Sequence, residues 1–365
     1  MIKTCAIIII QIFLAASICW SENNLEGRDL ILLEGNNAKV VMDLGGGSIV
    51  DFSFVDQGLN PFTWNYPEKG DLKPRNMGHF ICFDRLGRPS PQEIKNGMPF
   101  HGEAAHVEWE LLSKPVKKNN QIITEMRCEL PIGGMRLKRI LSLYENSPVF
   151  IMREEITNIN KLGRVYNIVQ HPSLAPPFLD ESVLVDSNAI KGFWSGNPMP
   201  SVEEPVVYWP KIIYNGELVD LRRFVDIHGP NVVSFVFEDD EEYGWVTACN
   251  SEKGLMIGYF WKLSDYPWFR IWRNISEGNP IACGLEFGTT PLPLPFSEII
   301  AKGKIFDRPT YKYLDADQTV VKSYTTFLSK IPPDYKGVDN IKFKEGTLTI
   351  IEYGDASRDI IIKIK

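Results

Sequence analysis

Between residues 121 and 159 the chain reads "QIITEMRCEL", "GMRLKRILSLY" and "PVFIMREEITNI", three runs about ten residues apart, punctuated by Pro131–Gly134 and Glu145–Pro148. Apolar residues at every second position suit a strand with one face on a core, because successive side chains point to opposite faces. The same pattern opens with "AKVVMDLGGGSIVDFSF", two short runs joined by Gly45–Gly47, glycines that supply the backbone freedom of a tight turn. It returns in "NVVSFVFED", "YGWVTACN", "GLMIGYFWKL", "PWFRIWRN" and "PIACGLEFGTT". No segment keeps a 3.6-residue apolar period over several turns. Many short strands with turn signals predict an all-β fold, a large antiparallel β-sandwich or barrel-like pair of sheets, of which the sandwich is the expectation carried forward.

With 365 residues, 44% of them hydrophobic and 23% charged, the chain can bury a sizeable core and has no signature of wholesale disorder. Its first 21 residues, "MIKTCAIIIIQIFLAASICWS", read as a secretory signal peptide: Lys3, an apolar run from Ala6 to Ala16, then small residues. The run is too short to favour a membrane span. Ile18 before Cys19 fits a lipoprotein signal poorly, so a secreted or periplasmic protein is expected in preference to a lipid-anchored one. Removing Lys3 takes the formal charge from −7 to −8, and an acidic chain without a basic run argues against nucleic acid as a partner. Cys82, Cys128, Cys249 and Cys283 then remain. Their wide spacing and apolar surroundings predict buried free thiols and no zinc cluster.

Residues 22–335 read as one sandwich domain, and 336–365 as a C-terminal hairpin extension added to a sheet edge of that domain. Two loop-rich regions, 60–100 and 172–230, are long for a compact domain, and such loops usually cover or carry a site.

Candidate chemistry concentrates in a few places. In "NPIACGLEFGTT", a strand over 281–287 would put Ile281, Cys283, Leu285 and Phe287 on a packing face. Ala282, Gly284 and Glu286 would share the other, leaving open space beside a carboxylate. Glu286 reads equally as a solvated acid on an exposed sheet face. His171 in "NIVQHPSLAPPFLDES" sits where a strand gives way to a Pro-rich loop, a place that suits either a binding group or a capping histidine. In "PWFRIWRN" one face carries Trp268, Arg270 and Trp272. Aromatic rings beside a guanidinium suit the apolar face and hydroxyls of a sugar, although such a stripe also serves core packing. "GMPFHGEAAHVEWELL" places His101 and His106 around a turn. The sequence has no GxSxG, GxxxxGK[ST], HExxH or EF-hand loop.

In order, "GMPFHGEAAHVEW", "VQHPSLAPPFLDE" and "WFRIW…ACGLEFGTTPLP" resemble the galactose mutarotase-like (aldose 1-epimerase) superfamily, over roughly residues 36–330, and a divergent secreted bacterial branch of it. The resemblance implies a β-supersandwich and an ordered site triple of His101, His171 and Glu286. It implies Glu286 as the base that takes the anomeric hydroxyl proton, protonated His171 as the acid at the ring oxygen, and His101 as a hydrogen-bond donor to the sugar. No cofactor or metal is implied. Of the remaining histidines, His106 reads as structural, and His79 is a candidate to line the same cleft. The chain departs from the family after the middle histidine, where it has "HPSLAPPF". The substrate-binding acid is left between Asp180 and Asp226, and the arginine between Arg75, Arg85 and Arg270.

The expected ligand is a sugar or oligosaccharide, and the expected activity is mutarotase-type interconversion of anomers. The alternatives are a non-catalytic carbohydrate-binding protein and a glycan lyase or hydrolase on a related fold. Glu103 and Glu181 are the acids that would supply the second carboxylate a hydrolase needs. Oligomeric state leaves no trace in the sequence.

Overall fold

The computed structural model describes residues 24–194, 206–214, 216–224 and 231–364. The leader with Cys19, and Asp226, lie outside the described residues. Two large antiparallel sheets face each other, as the strand grammar predicts. The larger has twelve strands among the described residues. Four of them carry the site: β1 (His79–Phe83), β2 (Ile168–Leu174), β3 (Trp268–Ser276) and β4 (Asn279–Gly288), adjacent in the order β1-β2-β4-β3. The smaller sheet has eight strands, among them the three runs of 121–159 as Gln121–Leu130, Met135–Tyr144 and Val149–Asn158.

Side-chain parity divides the molecule. Ile81 and Phe83 of β1, Ile168 and Leu174 of β2, Phe269 and Ile271 of β3, and Cys283, Leu285 and Phe287 of β4 pack into the main core. There they meet Leu137, Leu141, Ile156, Ile257 and Tyr259 of the smaller sheet. The intervening residues point to the outer face of the larger sheet. In most sandwiches that face is wet. Here the loops cover it, and Phe80, Cys82 and Val169 join Leu86 and Ala105 in a second apolar cluster there. The loop-rich region 60–100 thus acts as a cover, and both faces of the central strands are packed over.

The tail differs from the hairpin expected of it. Val338–Lys344, Thr347–Glu352 and Ile360–Lys363 form a separate three-stranded sheet, not an added edge. It packs Ile341, Leu348, Ile350 and Ile362 against Met256, Phe260 and Phe327, on the outer face of the eight-stranded sheet. The alternation in "GTLTIIEYG" provides one apolar face, and a sheet face buries more of it than an edge would. Cys82, Cys128, Cys249 and Cys283 are buried free thiols, as expected. No helix among the described residues is long and apolar enough to cross a membrane.

Candidate active site

Antiparallel register brings the chemistry together. Arg270 of β3 lies directly opposite Glu286 of β4, and Trp272 opposite Gly284. On the other side of β4, Ser173 of β2 lies opposite Gly284, which puts His171 next to the carboxylate. Arg270 Nη1 donates to Glu286 Oε2 at 2.6 Å, and His171 Nε2 is 3.3 Å from Glu286 Oε1. Gly284 makes the approach possible. A Cβ there would stand 3.2 Å from Glu286 Oε1 and 3.3 Å from His171 Cε1. Glu286, His171 and Arg270 side chains are 2%, 5% and 4% exposed, so Glu286 is not the solvated acid of an open sheet face.

His101 enters from the loop after β1. It adopts a left-handed backbone (φ 65°), followed by Gly102 at φ 80°. A Cβ on Gly102 would fall 1.8 Å from the Phe83 carbonyl oxygen, so only glycine permits this turn. The His101 ring centroid is 5.3 Å from that of His171. Its Nδ1 accepts the Gly87 backbone N–H at 3.1 Å and faces the Cys82 thiol at 3.1 Å. The backbone N–H can only donate, which assigns the ring hydrogen to Nε2.

These groups line a cavity of about 270 Å³ together with Trp64, Asn76, Leu86, Gly87, Phe100, Val232, Trp272 and Pro293. That is close to the lower end of the usual range for small-molecule sites, roughly 300–1,000 Å³. Trp64 and Trp272 meet at right angles (centroids 5.7 Å apart, 82°), and Phe100 at the rim is 53% exposed. Phe80 stacks on the His171 ring at 4.4 Å. The polar groups are therefore few, convergent and backed by aromatic walls.

Burial sets the electrostatics. It raises the Glu286 carboxyl above the ordinary carboxylate range, against the opposing pull of Arg270. Burial, with Arg270 adding to it, pushes His171 down to about 3. Burial, followed by His171 and Arg270, holds His101 well below its usual range. Both rings are neutral in the free protein, because burial disfavours their charged forms and the nearby Arg270 guanidinium adds to that. The protonated His171 expected as the acid is thus not the resting form.

Five of the residues expected at the site meet there: Glu286, His171, His101, Arg270 and Trp272. Three do not. Trp268 shares their face but lies opposite Gly288, two residues along, where it packs on Ile299, Ile305 and Phe306 and donates to the Pro309 carbonyl. His79 is fully buried on the core side of β1, near Gln170, Tyr259 and Tyr324. Asp180 binds Lys253, Ser182 and Asn250 in the turn beyond β2 and does not line the cavity. Arg85 pairs with Glu93, and Arg75 with Asp71 and Asn65. Glu103 accepts the Ile132 and Gly133 amides, and Glu181 is exposed. His106 is tied to the Phe100 carbonyl, a structural role. The sequence reading missed Trp64, Asn76 and Phe100, which lie in the cover, and Ser173, two residues beyond His171 on the same face.

No family model matches the chain, and no curated protein matches it by sequence. Solved structures do match by fold. A galactose mutarotase-like protein from Clostridium acetobutylicum superposes with TM-score 0.62 at 14% identity, covering 83% of this chain and 96% of that one. A galactose mutarotase related enzyme from Lactobacillus acidophilus gives 0.57 at 12% identity, covering 86% and 100%. A TPR-domain containing protein from Parabacteroides distasonis gives 0.57 at 11% identity, covering 92% of this chain and 51% of that one. At these identities the likeness carries the architecture, and the site's chemistry rests on its own geometry.

Proposed function

We propose that this chain, which has the galactose mutarotase-like fold, binds a saccharide in the cavity and interconverts its anomers, an aldose 1-epimerase-type activity. The observation that carries the reading is a buried carboxylate of raised proton affinity, 3.3 Å from an imidazole, in a cavity with aromatic walls. The apolar face of a pyranose fits Trp64 and Trp272. The few polar groups converge on one end of the ligand, as the anomeric centre requires. The saccharide is thus gripped where it reacts and only lightly elsewhere. Export through the 1–21 leader belongs to the same proposal, and would place that saccharide outside the cytoplasm.

The chemistry balances with one proton on the Glu286–His171 pair. Glu286 takes the hydrogen from O1 as the C1–O1 double bond forms and the C1–O5 bond breaks. O5 leaves with the electron pair and receives the Nε2 hydrogen of His171. Rotation about C1–C2 presents the other face of the carbonyl, and the steps reverse. Each positioned acid or base contributes about 10²–10⁴-fold. His101, with its hydrogen on Nε2, donates to a sugar oxygen throughout. Arg270 keeps Glu286 ionised when His171 carries the proton.

A second reading, a non-catalytic saccharide-binding protein, draws on the 2.6 Å grip of Arg270 on Glu286, which tempers the base. The test is anomer interconversion by NMR on a panel of freshly dissolved pure α-sugars, wild type against Glu286→Gln. Acceleration lost in the variant supports the enzyme. Saccharide binding without acceleration moves the assignment to the binding protein.

A further inference from the structure

Resting on the epimerase reading, we propose that Ser173 is a positioning residue, a hydroxyl switch that lets His171, and not His101, exchange protons. The two rings stand side by side in the same cavity but differ in what faces Nδ1. At His101 it is a backbone N–H, from Gly87 at 3.1 Å, with the Cys82 thiol at the same distance. A backbone N–H can only donate. Protonating His101 at Nδ1 would set two donors against each other, so this ring stays a neutral Nε2–H donor.

At His171 the partner of Nδ1 is the Ser173 hydroxyl, 2.9 Å away. A hydroxyl both donates and accepts. Its own carbonyl-side acceptor is also in place: Ser173 Oγ lies 3.4 Å from the His171 carbonyl oxygen. In the resting site the hydroxyl donates to Nδ1, and the ring hydrogen sits on Nε2, facing Glu286 Oε1. When the pair takes up its working proton, a hydrogen must stand between Nε2 and Oε1 and another on Nδ1. The hydroxyl then accepts from Nδ1 and turns its hydrogen to the carbonyl. His171 keeps a hydrogen bond in both states, and no bond other than O–H and N–H changes. A carbonyl in place of Ser173 would fix one tautomer, and an amide N–H the other.

The backbone is built to hold this geometry. Ser173 is fully buried, its N–H donates to the Gly78 carbonyl at 3.0 Å, and its cross-strand neighbour is Gly284. The charged and titratable groups facing His171 are Glu286 from β4, Arg270 from β3 and His101 from the covering loop. None of them reaches Nδ1, so the switch falls to Ser173.

The test uses the full chain, labelled with ¹⁵N-histidine, as wild type, Ser173→Ala and Ser173→Thr, with Ser173→Cys, whose thiol is a weaker donor and acceptor close to serine in size, where the threonine methyl impairs folding. Ring ¹⁵N spectra, assigned with His171→Gln, report the tautomer without requiring turnover. In wild type His171 is expected as the Nε2–H form, and in Ser173→Ala as a mixture of tautomers. On the best sugar of the panel, Ser173→Ala should lose about tenfold or more in kcat with KM within about twofold, and the threonine or cysteine variant should recover part of it. A wild-type tautomer and kcat in Ser173→Ala overturn the proposal. If wild type accelerates no sugar, the epimerase reading fails by that result. The hydroxyl assignment is then decided by the spectra alone: a mixed tautomer in Ser173→Ala supports it, and an unchanged one overturns it.

Discussion

Arg270 and Glu286 face each other across adjacent strands with Nη1 2.6 Å from Oε2, both side chains almost wholly out of water. A buried pair of this kind is costly to break, since removing one partner strands the other charge in a poor solvent. Arg270→Met is expected to destabilise the fold by about 3–5 kcal/mol and to raise the Glu286 carboxyl further. Arg270→Met/Glu286→Gln should be less destabilised than the sum of the single variants, by more than ~0.5 kcal/mol. Urea unfolding of the four proteins measures this, and additive single costs would mean that the pair contributes no coupling.

Gly284 is the empty space that the pair and His171 require. A Cβ at that position meets Glu286 Oε1 and the Trp272 Cβ at 3.2 Å, and His171 Cε1 at 3.3 Å. Gly284→Ala is therefore expected to fold, at a cost of about 1–3 kcal/mol, and to push the carboxylate and imidazole apart. Saccharide turnover should fall by about 10²-fold, as small misplacements of reacting groups do, while Ala282→Gly, on the same face nearer the strand start, should leave it unchanged. Equal rates in wild type and Gly284→Ala would show that the gap is not needed.

How far the sequence foretold this site depends on what kind of signal each residue sends. Glu286, Arg270 and Trp272 were legible because period two in "PWFRIW" and "ACGLEF" states which face a residue takes. It does not state how far along the strand a cover extends, and so Trp268, on the same face, was placed at the site when Ile299, in the short helix Phe296–Lys302, and its neighbours bury it elsewhere. "HFICF" is apolar throughout, so parity could not tell His79, on the core side, from Phe80, on the site side. His101 and His171 came from ordered motifs. Trp64, Asn76 and Phe100 lie in loops without a period, and only the tertiary path brings them over the sheet. Ser173 was there to be found two residues past His171, but a serine in a strand carries no mark of what it faces.

The buried histidines make stability depend on pH. His79 is held well below its usual range by burial first and by Arg139 second. A group whose folded pKa is depressed contributes stability that is present above its unfolded value and lost as pH falls below it, because the unfolded chain takes the proton and the native one does not. Below about pH 6.5, His79 should cost about 1.4 kcal/mol per pH unit. His79→Gln keeps an amide to meet Gln170 and removes the titration. The stability difference between wild type and His79→Gln, from urea midpoints, should thus move in favour of the variant as pH falls through that range. A difference independent of pH would show that His79 titrates normally in the native state.

The pH dependence of turnover separates the shared-proton site from an ordinary acid and base. If His171 and Glu286 kept their usual values, kcat/KM would follow a bell that falls on its acid side through 4.5, the ordinary glutamate value. In this site the order is reversed: burial lifts the carboxyl above 4.5 and pushes His171 down to about 3. The pair takes its first proton at the raised carboxyl pKa and its second only near the lower value. The working form carries one proton, wherever it rests, so the two values belong to the pair. As pH rises above the first, that proton leaves, the acid is lost, and kcat/KM should fall about tenfold per pH unit. As pH falls below the first, the rate should level and stay level through 4.5. Initial rates against the Glu286→Gln background, with tryptophan fluorescence confirming that the protein is folded at each pH, give the profile. An acid limb near 4.5 in a folded protein would mean that Glu286 titrates as an ordinary carboxylate and that the buried pair does not share the proton.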